Sequence, residues 1–234
     1  KQSRGVYDYV SPRGDVAGIV GNELRGLPKY LLKKVDQVVS IPMSGRGLSS
    51  VNVAVAGAIV LYALERELAR KGPKPSSLTR RDIDLCIVGP TDPNELGSLL
   101  RSAWAFGWKR VFLEDHNGVW FSPDRATVLA GRSAARRSVN RVVVVPSEQL
   151  DLRQYDTILV CDGTSDGRPL SRIALPAAGK LLIVYGDGKL LRDLTCAEPI
   201  FVDHKVSDAR ARFRHAGSIL LSVISHVLQR RQGG

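Results

Sequence analysis

The chain of 234 residues carries 34 Lys and Arg against 23 Asp and Glu, a net charge of +11 with a pI of about 9.9; the excess draws polyanions and makes nucleic acid the leading partner class. Cys86, Cys161 and Cys196 show no CxxC or Cys/His ligand spacing and His116, His204, His215 and His226 are scattered, so reduced thiols are expected and no metal site is. No apolar run approaches the roughly twenty residues of a membrane span, and the expectation is an intracellular protein of the cytoplasm or mitochondrial matrix with no membrane partner.

The first apolar run, Val16 to Val20, reads as a short strand ending in Gly21-Asn22-Glu23-Leu24-Arg25-Gly26-Leu27-Pro28. A second strand end, Ile41-Pro42-Met43, runs into a turn containing Gly45 and Gly47. Ser50 then stands as a plausible N-cap for an Ala-rich helix that reaches Leu61-Tyr62. Glycines at such turns remove side-chain bulk and let backbone amides approach a bound molecule. Two glycine-punctuated loops, each leaving a strand, are the makings of one ligand site.

A Gly/Pro/Ser cluster from Gly72 to Ser77 reads as a linker. Beyond it, Ile83 to Val88 is strand in type. The turn at Asp92-Pro93-Asn94-Glu95 opens a helix with apolar residues at i, i+3, i+4 spacing. Val111 to Leu113, Val142 to Val145, Thr157 to Cys161 and Leu181 to Val184 read as further strands, and strands alternating with helices predict a mostly parallel sheet.

Val20-Gly21-Asn22-Glu23 with Gly26-Leu27, followed by Ile41-Pro42-Met43, Ser50-Val51-Asn52 and the Ala-rich helix, resembles the second and third motifs of SpoU-type, or TrmH-like, RNA ribose 2′-O-methyltransferases of the SPOUT superfamily. The resemblance implies an α/β fold, a mostly parallel sheet with helices on both faces and a C-terminal deep trefoil knot that binds S-adenosylmethionine. Asp92, Pro93, Gly97, Arg101 and Ala103 match the family's first motif, with one departure: Glu95 stands where the family has Asn. The later half of this second region looks eroded. Leu181 to Gly188 lies where the Gly-Asn-Glu loop would be, Pro199 to His204 replaces the Ile-Pro-Met strand end, and Ala216 to Leu228 replaces the Ala-rich helix.

The resulting organisation is the back half of one SPOUT domain over 1–72, a linker over 73–81, a second SPOUT-like domain with degenerate cofactor loops over 82–231, and a tail over 232–234. The front half of the first domain either lies upstream of Lys1 or is supplied by 82–145 through permutation. Family members work as dimers, so the resemblance implies a homodimer, a heterodimer with a related subunit, or an intramolecular pseudo-dimer of tandem domains.

By the same resemblance Gly21, Asn22, Glu23, Ile41, Pro42, Met43, Leu48, Ser50, Val51 and Asn52 hold the cofactor. Glu23, Ser50 and Asn52 line the methyl-acceptor side, and Arg101 binds the phosphate beside the target ribose and assists deprotonation. The duller roles are surface ion pairs for Glu23 and Arg101, a cap for Ser50 and a turn for Asn52. Arg132, Arg136 and Arg137, with Arg141, stand at spacings that place several on one helix face, either a phosphate-contacting stripe or a solvated surface. The expected activity is S-adenosylmethionine-dependent ribose 2′-O-methylation of rRNA or tRNA. The alternative is a catalytically inactive RNA-binding or ribosome-assembly factor, partnered with an assembly particle, in which the fold persists for its surface.

Overall fold

The structure, a computed structural model, describes residues 3–12, 16–22, 25–44, 50–65, 76–136, 141–161, 167–186, 198–202 and 212–229. The N-terminal segment is thin. Its strands β1 (Arg4–Gly5) and β2 (Val39–Ser40) form a two-stranded parallel sheet, with helix α1 (Lys29–Lys34) before β2 and helix α2 (Val53–Glu65) after it. Pro28 precedes α1, which suits a helix entry because proline fixes φ there.

The strand expected at Val16 to Val20 does not form. These residues have no regular structure, and Val16, Ile19 and Val20 are 47–48% exposed. A strand exists only where an edge is free to pair with it. The buried position that such a run suits, in the middle of a parallel sheet, is filled by a strand from far downstream.

That sheet belongs to the second region. It contains β3 (Ile83–Val88), β4 (Arg110–Glu114), β5 (Val143–Pro146), β6 (Thr157–Cys161), β7 (Arg168–Pro169), β8 (Leu181–Gly186) and β9 (Glu198–Phe201), in the order β5-β4-β3-β8-β6-β9-β7. Every ladder is parallel. β8 lies between β3 and β6 and is buried throughout, as the near-continuous apolar runs of parallel strands require. Three helices follow the expected pattern: α3 (Pro93–Ala105), α4 (Arg125–Ala135) and α5 (Phe213–Gln229).

The alternating side chains of the strands feed two cores. Ile83, Leu85 and Ile87 of β3 join Leu96, Leu99 and Leu100 of α3, Val55 and Ile59 of α2, and Leu220, Leu221 and Ile224 of α5. Cys86, Val88, Phe112, Ile158, Val160, Leu182 and Val184 form the other, where Leu150 and Tyr155 pack. Burial pushes the Cys86 thiol up to about 12, helped by nearby Glu114. Helices α3 and α4 cross closely because both are glycine at the contact. A Cβ on Gly97 would overlap the Gly131 carbonyl oxygen and stand 2.9 Å from Ala134 Cβ.

The mostly parallel sheet with helices is the α/β architecture expected, but among the described residues no helix side chain joins the second core, so the helices expected on both faces are seen on one. The N-terminal segment docks on its helical layer through α2, which packs against α5. Tyr7 reinforces this contact by stacking on His226 with centroids 4.4 Å apart and hydrogen bonding to Ser222. The described end of the expected linker is not loose: Ser76 is buried and donates to the Pro176 carbonyl at 3.0 Å, and Thr79 with Asp82 forms a capping box. Among the described residues no helix is long and apolar enough to cross a membrane, and no metal-binding cluster occurs.

Candidate active site

Helix α3 starts where the sequence says it must. Asp92 accepts from the Asn94 amide at 2.7 Å, and Pro93 occupies the first turn, where its missing N–H costs nothing. Arg101 lies on the buried side of this helix, 6% exposed. Its guanidinium reaches out of the second region. Nε donates to the Ser50 carbonyl at 2.7 Å, and Nη2 donates to Ser50 Oγ at 2.6 Å and to the Val51 carbonyl at 3.4 Å.

The contact joins the first-motif helix to the third-motif segment within one chain. An arginine can only donate, so Ser50 Oγ must accept, and its own hydroxyl hydrogen is left to point toward a further acceptor. Ser50 itself is exposed. Charge-assisted bonds of this kind contribute about 1.5–3 kcal/mol each, enough to hold the start of α2 against α3.

Ser50 is not the N-cap. Asn52 is: its Oδ1 accepts from the Ala54 amide at 2.9 Å, and its carbonyl accepts from the Ala56 amide at 2.8 Å. The sequence offered two short polar residues in succession, and Arg101 decides between them by occupying Ser50. Val51 and Asn52 are half-buried beside it.

Gly21 approaches backbone, though of its own loop. A Cβ there would come within 2.7 Å of the Gly26 carbonyl carbon and 2.8 Å of the Leu27 nitrogen. Asn22 and Gly26 close the loop with reciprocal amide–carbonyl bonds of 3.2 and 2.8 Å, and Gly26 takes a φ of +65°, a conformation open to glycine at no steric cost. Glu23 and Leu48 lie outside the described residues. Ile41 and Pro42 are half-buried, with Pro42 against β1, and Met43 is 38% exposed.

Glu95, the departure from the family pattern, is committed elsewhere. It accepts from the Arg214 amide at 3.0 Å and pairs with the Arg214 guanidinium at 3.1 Å. Acceptors at a helix N-terminus satisfy orphan amides and suit the dipole, so Glu95 ties α3 to the start of α5. The expected basic stripe does not share a helix face. Arg132 is exposed in the last turn of α4, but Arg136 stands past the helix end with a φ of 53°. Arg137 lies outside the described residues.

The linear pattern also missed a seam beside the site. Ser44, just past Met43, meets the turn after α3: a Cβ on Gly107 would stand 2.7 Å from Ser44 Oγ and 3.7 Å from Arg80 Nε. Arg80 lies 3.7 Å over the Trp108 ring and donates to the Phe106 carbonyl at 2.8 Å. Burial lowers its pKa to about 9, so it stays charged at neutral pH. Its position in a Gly/Pro/Ser-rich stretch gave no signal of this role. Tyr7 and Ser222, 215 residues apart, carry none either.

Comparison with known proteins finds similarity in sequence and in structure. Residues 1–62 match the SpoU rRNA Methylase family. The tRNA (guanosine(18)-2′-O)-methyltransferase of Aquifex aeolicus is 38% identical over 65 residues, 28% of this chain and 29% of that protein. The 23S rRNA (guanosine-2′-O-)-methyltransferase RlmB of Coxiella burnetii is 38% identical over 63 residues, 27% of this chain and 24% of that protein. The matched segment thus spans less than a third of either relative. Among solved structures, the A. aeolicus TrmH/SpoU tRNA modifying enzyme aligns with a TM-score of 0.49 at 10% identity, over 77% of this chain and 86% of that one. The SpoU methyltransferase AviRb from Streptomyces viridochromogenes, in complex with AdoMet, aligns with a TM-score of 0.46 at 17% identity, over 70% and 62%. The family match and the motifs fall on one segment, residues 1–62, which is similar in sequence to SpoU methylases.

Proposed function

We propose that this chain is an S-adenosylmethionine-dependent RNA ribose 2′-O-methyltransferase whose site lies between its N-terminal segment and α3. The observation that carries the reading is the grip of Arg101 on Ser50 and Val51, which brings residues of two separate SpoU-like motifs to one place. The curated relatives, which are tRNA and rRNA 2′-O-methyltransferases, support RNA as the substrate class, as does the +11 charge.

The residues present fit the cofactor in one respect. Val20 and Met43, which flank the two glycine loops, are exposed apolar side chains of the kind a purine ring packs on. When bound, S-adenosylmethionine would supply an electrophilic sulfonium methyl to a ribose 2′-oxygen, with its thioether as the leaving group and the hydroxyl proton passing to a base or solvent. The chain's own residues orient. Arg101 fixes Ser50, Ser50 offers its hydroxyl to the acceptor nucleotide, and Asn52 holds the helix that follows. Positioning of this kind supplies much of the rate for a poor nucleophile. Arg101 acts in this reading as a positioning residue, through Ser50.

The pseudo-dimeric arrangement belongs to the same proposal, and Arg101–Ser50, Tyr7–Ser222 and α2 against α5 support it. The knotted threading that the resemblance implies and an intracellular setting are further parts of the proposal. The test is calorimetric titration with S-adenosylmethionine, then incubation of cofactor and RNA with the protein followed by alkaline hydrolysis, which a 2′-O-methyl group blocks. Saturable binding and a gap in the ladder are expected. No binding would overturn the enzyme and leave the non-catalytic RNA-binding factor.

A further inference from the structure

Helix α1 connects the two cofactor segments, and its sequence divides its surface. At 3.6 residues per turn, Lys29, Lys33, Tyr30 and Lys34 fall in that order across an arc of about 140°. Leu31 and Leu32 fall on the remainder and are half-buried. All three lysines are exposed, and so is Arg25 just before the helix. Tyr30 is 61% exposed, so its ring is open to a stacking partner.

Among the described residues none of these side chains makes an ion pair or a hydrogen bond. Elsewhere arginines are paired: Arg110 with Asp84, Arg153 with Asp151, Arg168 with Glu198 and Arg214 with Glu95. Between residues 25 and 44 the sole acidic residue is Asp36. The face therefore presents cations on both sides of an aromatic ring, with no ion pair to any of them among the described residues.

We propose that this face of α1 binds single-stranded RNA, with a base stacked on Tyr30 and backbone phosphates at Lys29, Lys33 and Lys34. The inference rests on the RNA reading above and names where the strand runs as it leaves the site. Lysines alone would fit any polyanion. The ring among them selects unpaired nucleotides, because a base inside a duplex offers no free face for stacking. A base stacked on an aromatic side chain is sequence-tolerant, so the face grips strand without choosing sequence.

The test is fluorescence anisotropy with a labelled, unstructured RNA of roughly 12 nucleotides, the order of a single-strand site, and with the same strand annealed to its complement. Tyr30→Ala should weaken single-strand binding about ten-fold, with Tyr30→Phe within about two-fold of the parent and duplex binding little changed. Lys29→Gln, Lys33→Gln and Lys34→Gln together should flatten the salt dependence by about two to three released counterions. The exposed position of every substituted residue leaves the melting temperature unchanged. Unaltered single-strand affinity in both variants would overturn the proposal, and so would an equal loss on duplex. Equally decisive would be sensitivity confined to anionic phospholipid vesicles with no RNA binding, which would make α1 a membrane-surface helix. S-adenosylmethionine titrations of the same variants should match the parent. A missing cofactor signal with the Tyr30 effect intact sinks the enzyme reading alone, and the reverse sinks the α1 proposal alone.

Discussion

Residues 3–65 and residues 76–229 stand in opposite relations to their motifs. The first segment keeps the SpoU-type sequence signals but has two-residue strands and an exposed apolar run. The second lacks the Gly-Asn-Glu and Ile-Pro-Met signals but builds a seven-stranded sheet with a core on each side, one of which takes in side chains of the first segment. Its Gly186 serves strand packing: a Cβ there would overlap the Val88 carbonyl oxygen. Sequence signals for binding and the apolar mass that holds a fold together are separate properties. Here one chain assigns them to different segments, and the first is held in place by the second.

The largest expected effect breaks that dependence. Arg101→Ala removes the bonds to Ser50 and Val51 and leaves two carbonyls without their donor, which should destabilise the docked segment by about 3 kcal/mol. Amide hydrogen exchange should rise across Ser50 to Ala56 while β3 and β8 stay protected. Arg101→Lys, with a point charge in place of a fork, should recover only part of the loss. Protection that stays even across both segments would mean that Arg101 is not the tie.

Gly97→Ala makes the converse cut. The new methyl has no room against Gly131, so a chemical melt should show the second region losing about 1–3 kcal/mol, with the docked segment released along with it. If the midpoint is unmoved, α3 and α4 are not packed as closely as the two glycines indicate.

Glu95→Ala should cost about 1–2 kcal/mol through the Arg214 amide and guanidinium, chiefly by fraying the start of α5. Glu95→Asn restores the family residue. Its effect on methyl transfer, measured by alkaline laddering, shows whether the acid has been kept for structure at the expense of turnover. A gain in turnover with a lower melting temperature sharpens the comparison, and no change in either removes Glu95 from it.

Gly57→Ala, in α2, should stabilise by about 0.5–1 kcal/mol, since nothing lies within 4 Å of the added methyl and glycine weakens a helix interior. The smallest effect is electrostatic. Asp82 is held below its ordinary pKa by the Thr79 hydroxyl and amide. The stability it adds is present above the unfolded carboxylate value near ~4 and is lost as pH falls through the lower folded value. Asp82→Asn should remove that acid-side slope in a pH series of melts, and a persistent slope would assign it to another carboxylate.

Much of this was written in local sequence. Apolar runs gave β3, β6 and β8 because parallel strands are buried on both faces, Asp92-Pro93 opened α3 where side-chain capping demanded it, and the residues of the Gly-Asn-Glu and Ile-Pro-Met motifs carried the resemblance to SpoU methylases. What the chain order hid was which strand takes the middle of the sheet. Val16 to Val20 and Leu181 to Val184 are both apolar runs before a glycine, and periodicity does not rank them. The ladder does: β8 pairs with β3 and β6 on both edges, and Val16 to Val20 is left in solvent. The choice of Asn52 over Ser50 as cap, the ion pair that absorbs Glu95 and the placement of Arg80 over Trp108 depend on groups distant in sequence. Hydrogen-bond capacity is local to a residue, but its partner is set only when the tertiary structure brings one within reach.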